Sequence, residues 1–548
     1  MPNPKVKPVP FFIARKDESV NRKVNLEGTA WGPKPYRKPF RHKMKKSFLY
    51  IYVLSFFSGM CIMAIELCAS RLVAPYFGTS SFVWTNVIGV IMIALSIGYV
   101  IGGKLADRKP RLEILLKLLL AACAFLILLP FVAIPVVQFL SYLIKSFNSA
   151  FSFIFFGSLV AITLLFSPPI VVLGMTSPFL IRIVAQTDHV GGSVGRIFGI
   201  STIGSVLGTF LPVLVLIPAI GTSKTIIIFS SALFIVTALG FFGKTSALLS
   251  MAAIVPFLLP VPESRQTPGK LYSTESAYQY IEVFDRGTYR YLTYNNAAGF
   301  QTVANKRSPL TGMNYYYDYY SLLPFIFDNT PKNALILGLG GGIIANQFRY
   351  FHPEIAVDGV EIDPKVIQVA RKYFALSPDV SVFNQDGRIF VTLEKRKYDI
   401  VIIDAYTKQV YIPFHLTTVE FFTKLRDRLS ERGIVAMNVS ARREDSPLLQ
   451  NIMNTLRLVF DHVYLFRIPM SSDNIVLVSG RRIDFGLFGR ADGTALQSIA
   501  QVSRSRFREI KVGAKLKPLT DDWAPIEHMV DWETFKRDFM ANTAGDRG

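Results

Sequence analysis

The chain has 548 residues, 51% of them hydrophobic, with a mean hydropathy of +0.34 and a formal net charge of +21 at pH 7. This composition excludes a single small soluble domain and predicts two or three domains. Residues 47–262 carry 11 Lys and Arg against 4 acids, whereas residues 263–548 carry 36 against 32. The sequence therefore divides into a basic arm, an apolar region and a globular half.

The arm, residues 1–46, carries 13 basic residues against 3 acidic ones. Lys and Arg that precede a first membrane span keep that end of the chain in the cytoplasm, and they also bind anionic lipid. Because this excess charge lies next to an apolar region, it favours a lipid bilayer as partner and argues against nucleic acid. No cleavage site of small residues follows, so the arm is not interpreted as a secretory signal.

The apolar region contains runs long enough to cross a bilayer, which takes about 20 residues in a helix. The candidate spans are residues 48–70, 82–104, 113–139, 151–176, 197–218, 223–242 and 245–261. Basic residues crowd the loop between spans two and three and flank the loop after span four. This distribution predicts a multi-pass protein of the cell (inner) membrane with a cytoplasmic N-terminus.

The number of spans decides the side on which the globular half lies. The seventh candidate is the weakest, since it has about 17 residues and Pro256 near its middle. Six spans return the chain to the cytoplasm, which is the expected location of the C-terminal half. Seven spans would place that half outside.

Charged residues and cysteines within the spans are few. Glu66 lies inside the first span, with Arg71 near its end, so an ion pair between them is one expectation, and a transport role for Glu66 is the other. Cys61, Cys68 and Cys123 all lie in predicted spans. The C-terminal half has no cysteine, so no thiolate metal site is expected there, and no metal site is predicted.

The C-terminal half alternates strands with helices. Residues 271–304 form short alternating segments broken by glycines, which predict a small antiparallel sheet. Apolar strands and amphipathic helices then follow one another from residue 333 onwards. The predicted fold class is thus a multi-pass α-helical membrane region plus an α/β half, in which a small β-sheet precedes a doubly wound, Rossmann-like sheet of the methyltransferase type.

The stretch "ALILGLGGGIIANQF", residues 334–348, predicts a buried strand, a tight turn and a helix start. It lacks the Lys-Ser or Lys-Thr of a phosphate loop, and Ile343 occupies the position of the third glycine in a dinucleotide fingerprint. What remains is GxGxG, formed by Gly338, Gly340 and Gly342. This pattern allows close backbone approach to an adenosyl group.

Three acids follow at the ends of the next three predicted strands. Glu361 is placed to accept hydrogen bonds from two ribose hydroxyls, and Asp386 to accept one from an adenine amino group. Asp404 ends the fourth strand, in "YDIVIIDAY". Because ligands of such sheets bind at the carboxyl ends of the strands, the three acids together predict an adenosyl-sulfonium pocket.

These motifs, "ESAYQYIEVF", "ALILGLGGG", "VEID", "QDGR" and "YDIVIIDAY", resemble a spermidine synthase, a polyamine aminopropyltransferase. "MTSPFL" and residues 77–108 resemble the major-facilitator-like membrane half of proteins fused to such a domain. The resemblance covers about residues 48–530. It implies transfer of an aminopropyl group from decarboxylated S-adenosylmethionine, a co-substrate, to an amine, with no tightly bound cofactor.

The same resemblance implies roles for individual residues. Asp404 takes the catalytic position, where it anchors the amine and accepts its proton. The donor-binding residues are Gln279, Gly338, Gly340, Gly342, Glu361, Asp386 and Gly387. The amine-binding residues are Tyr316, Tyr317 and Asp318, with packing of a helix on the sheet as the alternative for the Tyr run. His415 is assigned a structural role.

Two departures from the family pattern concern the amine. An acid of the family's glycine loop is replaced by Gly341, and the second acid after the catalytic one is replaced by Thr407, with Lys408 following. A dicationic acceptor needs several carboxylates to offset its desolvation. Three functions therefore remain open: a membrane-tethered aminopropyltransferase, a non-catalytic transporter or scaffold that senses an adenosyl metabolite, and an S-adenosylmethionine-dependent methyltransferase.

The expected partners are a small-molecule amine and the bilayer, and the resemblance adds a homo-oligomer. The domain division that we predict is a basic arm, a membrane region of six to seven helices, a small β-sheet with a linker helix, the spermidine synthase-like domain and a tail. Their bounds are residues 1–46, 47–262, 263–330, 331–535 and 536–548.

Overall fold

The structure is a computed structural model. It describes residues 41–77, 81–144, 150–185, 190–241, 250, 255–260, 267–295, 299–312, 315–406, 411–510 and 516–530. Chain contacts divide it into Met1–Phe48 and Leu49–Gly548. The predicted arm and tail lie almost entirely outside the described residues, so their bounds stay predictions.

The apolar region is helical throughout its described part. Its helices are α1 (Arg41–Phe77), α2 (Ser81–Arg108), α3 (Leu112–Ile144), α4 (Ala150–Gly174), α5 (Thr176–Val184), α6 (Val190–Leu211), α7 (Ile217–Ile220), α8 (Thr222–Leu239) and α9 (Val255–Leu258). A π-helical turn, Pro212–Leu216, joins α6 to α7. Several of these helices contain prolines, which membrane helices tolerate when neighbouring helices, Ser and Thr side chains or local 3₁₀ and π turns satisfy the freed backbone groups.

Six helical stretches of the described part are long and apolar enough to cross a membrane. These spans one to six are Phe48–Phe77, Ser81–Arg108, Leu112–Val137, Phe155–Val184, Gly191–Ile220 and Thr222–Leu239. They correspond to the first six predicted spans. Most of the seventh candidate, residues 245–261, lies outside the described residues.

The globular half begins with a small antiparallel sheet in the order β1-β2-β3-β4. Its strands are β1 (Lys270–Glu275), β2 (Tyr280–Arg286), β3 (Tyr289–Tyr294) and β4 (Thr302–Asn305). This is the sheet that alternation and Gly287 predict, since Gly287 (φ +61°) provides the left-handed turn between β2 and β3.

A mixed sheet of eight strands follows, in the order β12-β10-β11-β9-β8-β5-β6-β7. The strands are β5 (Asn333–Leu337), β6 (Ala356–Glu361), β7 (Ser381–Asn384), β8 (Tyr398–Ile403), β9 (Leu429–Ser440), β10 (His462–Arg467), β11 (Asp473–Ser479) and β12 (Arg508–Glu509). The helices are α10 (Tyr316–Tyr320), α11 (Ile343–Phe351), α12 (Pro364–Tyr373), α13 (Gly387–Leu393), α14 (Val419–Arg426), α15 (Pro447–Arg457) and α16 (Gln497–Arg504). The helical region and this sheet confirm the predicted fold class.

Strand β5 shows how the sheet is buried on both faces. Ala334 and Ile336 pack into one apolar cluster and Leu335 and Leu337 into the other, as the two-residue period of a strand requires. The parallel strands run β7-β6-β5-β8-β9, so the order reverses between β5 and β8. A ligand crevice is expected at that reversal, beyond the carboxyl ends of both strands.

Candidate active site

A cavity of about 920 Å³ lies at the reversal of strand order. Most of the predicted site residues line it: Gln279, Tyr316, Tyr317, Gly338, Gly340, Glu361, Asp386, Gly387 and Asp404. The residues come from the ends of β5, β6 and β8, from the β7–α13 turn, from α10 and from the connection between β1 and β2. Its volume is in the range of small-molecule sites.

Gly338 brings the ends of β5 and β8 together. Its φ of +89° is in the left-handed region, and a Cβ there would lie 2.4 Å from the carbonyl oxygen of Asp404. Only glycine permits this approach. The Asp404 N–H in turn donates to the carbonyl of Leu337 at 2.8 Å. The first glycine of the turn therefore fixes the position of the predicted catalytic acid.

Asp404 is enclosed by polar groups at the cavity wall. Tyr316 donates its hydroxyl to Oδ2 at 2.9 Å, and the Asn438 side-chain amide approaches Oδ1 at 3.4 Å. Burial raises the pKa of Asp404 to about 8, and the charge of Asp473 adds to this effect, while the bonds from Tyr316 and Asn438 oppose it. Such a carboxylate is a stronger base than an ordinary aspartate.

Glu361 is held at the end of β6 by backbone donors. The Gly340 N–H bonds to its Oε2 at 3.1 Å and the Asp363 N–H to its Oε1 at 3.1 Å. Burial raises the pKa of Glu361 to about 7, although these donors oppose the shift. Both oxygens are thus fixed in place at the cavity, where a pair of ribose hydroxyls can donate to their remaining lone pairs.

Asp386 lines the cavity and is also the N-cap of α13. Its Oδ1 accepts the Arg388 and Ile389 N–H groups at the start of α13, at 2.9 and 3.0 Å. Its Oδ2 lies 3.1 Å from His415 Nε2, and this hydrogen bond lowers the pKa of Asp386. His415 lines the cavity beside it, which its assigned structural role did not anticipate.

Gln279 and Gly387, both predicted to bind the donor, line the cavity. Burial raises the pKa of Asp363. A hydrogen bond from the Gln279 side chain to this carboxylate opposes the rise. Ser276 donates to Asp363 Oδ2 at 2.6 Å, and Asp363 caps α12 through the Lys365 N–H. The Ser276–Asp363 link between the small and the large sheet was not predicted, because it depends on packing between distant segments.

The remaining glycines of the turn have separate functions. Gly340 (φ +51°) aims its N–H at Glu361, and Gly342 (φ +79°) is the N-cap of α11. Gly342 lies outside the cavity lining, against Leu376. A Cβ at Gly341 would lie 2.5 Å from Thr302 Cγ2, while its N–H donates to Thr302 Oγ1 at 2.9 Å. Thr302 thus occupies the space that an acid at position 341 would need.

The three predicted amine-binding residues separate in the structure. Tyr316 and Tyr317 line the cavity, and Tyr317 donates to the carbonyl of Gln301 at 3.2 Å. Asp318 lies outside the lining, and its buried carboxylate accepts hydrogen bonds from Thr311, Gly312 and the Gln347 side chain. Successive residues of a helical turn point in different directions, and the sequence alone did not fix which of them faces the cavity.

Asp473, whose charge acts on Asp404, was not predicted as a site residue. Asp473 begins β11, and Ser471 donates to its Oδ2 at 2.9 Å. Burial raises the pKa of Asp473, and its charge contributes to the raised pKa values of Asp404 and Tyr406. Thr407 and Lys408 lie outside the described residues. In the part of the chain that the structure describes, no group of three or more His, Cys, Asp or Glu could hold a metal ion.

Residues 313–479 match the family model for the spermine/spermidine synthase domain. A polyamine aminopropyltransferase of Vibrio vulnificus is 31% identical over 264 residues, which cover 46% of this chain and 85% of that protein. This chain belongs to the polyamine aminopropyltransferase family. A probable polyamine aminopropyl transferase of Bifidobacterium longum is 29% identical over 284 residues, which cover 47% of this chain and 63% of that protein.

A longer match extends this family relationship towards the N-terminus. Polyamine aminopropyltransferase 2 of Aquifex aeolicus is 23% identical over 442 residues, 75% of this chain and 83% of that protein. Such a match is longer than the globular half, so it reaches into the apolar region. Among solved structures, spermidine synthase from Thermotoga maritima aligns with a TM-score of 0.35 and 21% identity, over 43% of this chain and 84% of that one.

Proposed function

We propose that this chain is a membrane-tethered aminopropyltransferase that uses decarboxylated S-adenosylmethionine as co-substrate. In the reaction, the lone pair of an amine nitrogen attacks the methylene carbon beside the sulfonium. The carbon–sulfur bond breaks, its electron pair returns to sulfur, and neutral methylthioadenosine leaves. The proton released by the amine goes to Asp404. Family membership and the cavity chemistry support this function.

The observation that carries the proposal is the position of Asp404 in one cavity with Glu361 and Asp386. The two latter acids are suited to the ribose and the adenine of the donor. Asp404 lies at the reversal of strand order, beyond the glycine turn, where the reacting carbon of such a donor would come. Positioning of two reactants in one cavity supplies most of the catalysis for a donor that is already activated.

The raised pKa of Asp404 suits proton removal from an amine. An aliphatic ammonium has a pKa of about 10.4, roughly 6 units above an ordinary aspartate. With the pKa of Asp404 at about 8, that gap shrinks to roughly 2 units, and each unit corresponds to about 1.4 kcal/mol. A buried aspartate therefore releases the nucleophilic amine at a smaller free-energy cost.

The acceptor that we propose is a small amine with fewer charges than a polyamine of the usual kind. Gly341 supplies no acid, and Asp318 is engaged in its own hydrogen bonds. The acids that line the described cavity are Asp404, Glu361, Asp386 and Glu275. Glu361 and Asp386 are assigned to the donor and Glu275 accepts a hydrogen bond from Thr222, which leaves Asp404 for the amine, with the charge of Asp473 nearby. One or two carboxylates offset the desolvation of one ammonium group better than that of several.

We further propose that the apolar region anchors the enzyme in the cell membrane, with the basic arm in the cytoplasm. The six apolar stretches and the excess of Lys and Arg in the arm support this arrangement. The resemblance of residues 77–108 to major-facilitator-like proteins supports such a fold for the membrane region. The bilayer and the amine are the proposed partners, with a homo-oligomer as assembly and no nucleic acid.

The test is an assay of the purified full-length protein with decarboxylated S-adenosylmethionine and a panel of mono-, di- and polyamines, in which released methylthioadenosine is quantified. Amine-dependent release is expected, and Asp404→Asn should lower kcat by about 10² to 10⁴, the usual contribution of a general base. Donor binding with no release for any amine would contradict the transferase and favour a sensing function.

A further inference from the structure

The globular half contacts one end of the bundle of spans. Arg71, near the end of span one, donates to the carbonyls of Ser276, at 2.9 Å, and of Ala277. Thr222, the first residue of span six, donates its N–H to Glu275 Oε2 at 3.0 Å. These contacts lie where span one ends and span six begins.

Two further observations identify the same end. Ser81, the first residue of span two, donates a hydrogen bond to Glu527 of the globular half. The cavity that contains Asp404 is also lined by Trp84, near the start of span two, and by Ile217–Lys224, where span five ends and span six begins. The end of odd-numbered spans and the start of even-numbered ones therefore face the globular half.

An ion pair and a hydrogen bond identify the opposite end of the bundle. Asp107, at the end of span two, forms an ion pair with Arg182, at the end of span four, at 2.9 Å. Tyr50, at the start of span one, donates to the carbonyl of Val236, at the end of span six, at 3.1 Å. These contacts join the ends of spans two, four and six to one another or to the start of span one. This is the end of the bundle at which span one follows the N-terminal arm in the chain.

Basic residues concentrate on the side of the arm. The span ends and the short connections on that side carry six basic residues: Lys104, Arg108, Lys109, Arg111, Arg182 and Arg196. In the described part of the other side, the bundle presents Arg71, which is bound to backbone carbonyls, and Lys224. Short loops rich in Lys and Arg stay in the cytoplasm, so the side that contacts the globular half is the extracytoplasmic one.

The chain must cross the membrane once more to satisfy these contacts. Span six ends beside Tyr50, on the side of the arm, whereas β1 begins at Lys270 and reaches Thr222 on the other side. Residues 245–261 are the apolar segment between them. Seventeen residues in a helix extend about 26 Å, at 1.5 Å per residue, close to the roughly 30 Å of a hydrocarbon core; the described helix of this segment is α9 (Val255–Leu258). The contacts thus favour the seven-span alternative.

We propose that the catalytic half lies on the extracytoplasmic face of the membrane and takes its amine acceptor from that compartment. The location rests on the contacts and on the charge distribution, and the choice of acceptor rests on the proposed function. Since the cavity opens against the ends of the spans, the substrates meet at the membrane surface. The acceptor is then an amine present outside the cytoplasm, and the donor, which is made in the cytoplasm, must cross the membrane to reach the cavity.

The test measures location without requiring activity. Met470 is fully exposed in the loop between β10 and β11, and Lys109 lies in the exposed loop between spans two and three. The native Cys61, Cys68 and Cys123 are buried, and the unmodified chain measures their background. Full-length Met470→Cys and Lys109→Cys are each treated with a membrane-impermeant maleimide in right-side-out and in inverted vesicles.

Met470→Cys is expected to react in right-side-out vesicles and Lys109→Cys in inverted ones. Reaction of Met470→Cys in inverted vesicles, together with Lys109→Cys, would overturn the proposal and place the catalytic half in the cytoplasm. Because labelling needs no donor and no amine, a failure of this proposal is distinguishable from a failure of the transferase, which the release of methylthioadenosine tests separately.

Discussion

At the scale of single residues, the buried carboxylate of Asp404 determines how the reaction depends on pH. The group must be ionised to accept a proton, and burial raises its pKa to about 8. We therefore expect kcat/KM to rise about tenfold per pH unit below pH 8 and to flatten above it, with an amine whose own pKa lies well above this range.

The measurement is a profile of kcat/KM between pH 6 and 9.5 at saturating donor. A profile that is flat across this range, as expected of an aspartate that titrates at its ordinary pKa of about 4, would contradict the assignment of Asp404 as the base. A second amine of lower pKa serves as control, because an inflection caused by the enzyme stays in place when the acceptor changes.

The same carboxylate affects the stability of the fold. Its pKa in the folded state is raised, so the folded protein binds the proton more tightly than the unfolded chain does. The stability of the native state therefore falls as the pH rises from about 4 to about 8. Asp404→Asn removes this loss, and we expect its apparent Tm to exceed that of the unmodified chain by several degrees at pH 8 and by much less at pH 5.

Thermal unfolding in detergent at the two pH values measures this difference. Glu361→Gln is a second case, since burial raises the pKa of Glu361 to about 7. Equal Tm differences at pH 5 and pH 8 would show that the substitutions act through packing and not through ionisation.

At the scale of elements, the contact between β4 and the glycine turn explains the absence of an acid at position 341. Thr302 fills the space beside Gly341, so Gly341→Ala should destabilise the protein by about 1–3 kcal/mol through overpacking. In a Thr302→Ala background, Gly341→Ala should destabilise the protein by less, because the Thr302 Cγ2 atom that the new Cβ would meet is absent.

A double-mutant cycle of unfolding free energies measures this coupling. A double variant that is destabilised by less than the sum of the two single variants supports the steric explanation. Equal costs of Gly341→Ala in both backgrounds would show that the turn, and not Thr302, excludes a side chain there. Gly199, whose added Cβ would meet nothing within 4 Å, provides a matched control.

A second contact between elements joins span one to the donor-binding end of the cavity. Arg71 holds the carbonyls of Ser276 and Ala277, Ser276 binds Asp363, and Gln279 follows in the same segment. We expect Arg71→Ala to raise the KM for the donor by about tenfold with kcat changed less than threefold, since the reacting centre at Asp404 is left intact.

Steady-state kinetics with donor and amine varied in turn check this split. Lys104→Ala, which removes an exposed basic residue near the end of span two and outside the cavity lining, is the control, and its donor KM should stay within about twofold. A fall in kcat at unchanged donor KM for Arg71→Ala would indicate that span one acts on the chemical step instead.

At the scale of the whole molecule, much could be predicted from periodicity and strand ends. Alternation of apolar strands and amphipathic helices predicted the doubly wound sheet, and its geometry brings Gly338, Glu361 and Asp404 to one edge. The sequence did not show that Asp318, unlike Tyr316 and Tyr317, lies outside the cavity lining, because the direction of a side chain in a short helix depends on packing.

Contacts between distant segments were beyond the sequence. Thr302 meets the glycine turn across 39 residues, and Arg71 meets Ser276 across 205. An ion pair between Arg71 and Glu66, which are close in sequence, was one expectation. In the structure, Arg71 instead donates to backbone carbonyls of the globular half. Charge counts predicted the sides of the membrane, whereas the proposal that the globular half lies outside the cytoplasm depends on such contacts.

The most direct test of the central claim follows the transferred group itself. Full-length protein is incubated with decarboxylated S-adenosylmethionine labelled in its aminopropyl carbons and with the amine that releases most methylthioadenosine, and the products are separated. The expected result is that the label appears in the amine, in a 1:1 ratio to unlabelled methylthioadenosine, and that Asp404→Asn lowers the rate of formation of both by about 10² to 10⁴. Methylation of the acceptor with intact S-adenosylmethionine as donor, or a bound donor that never loses its label, would contradict it.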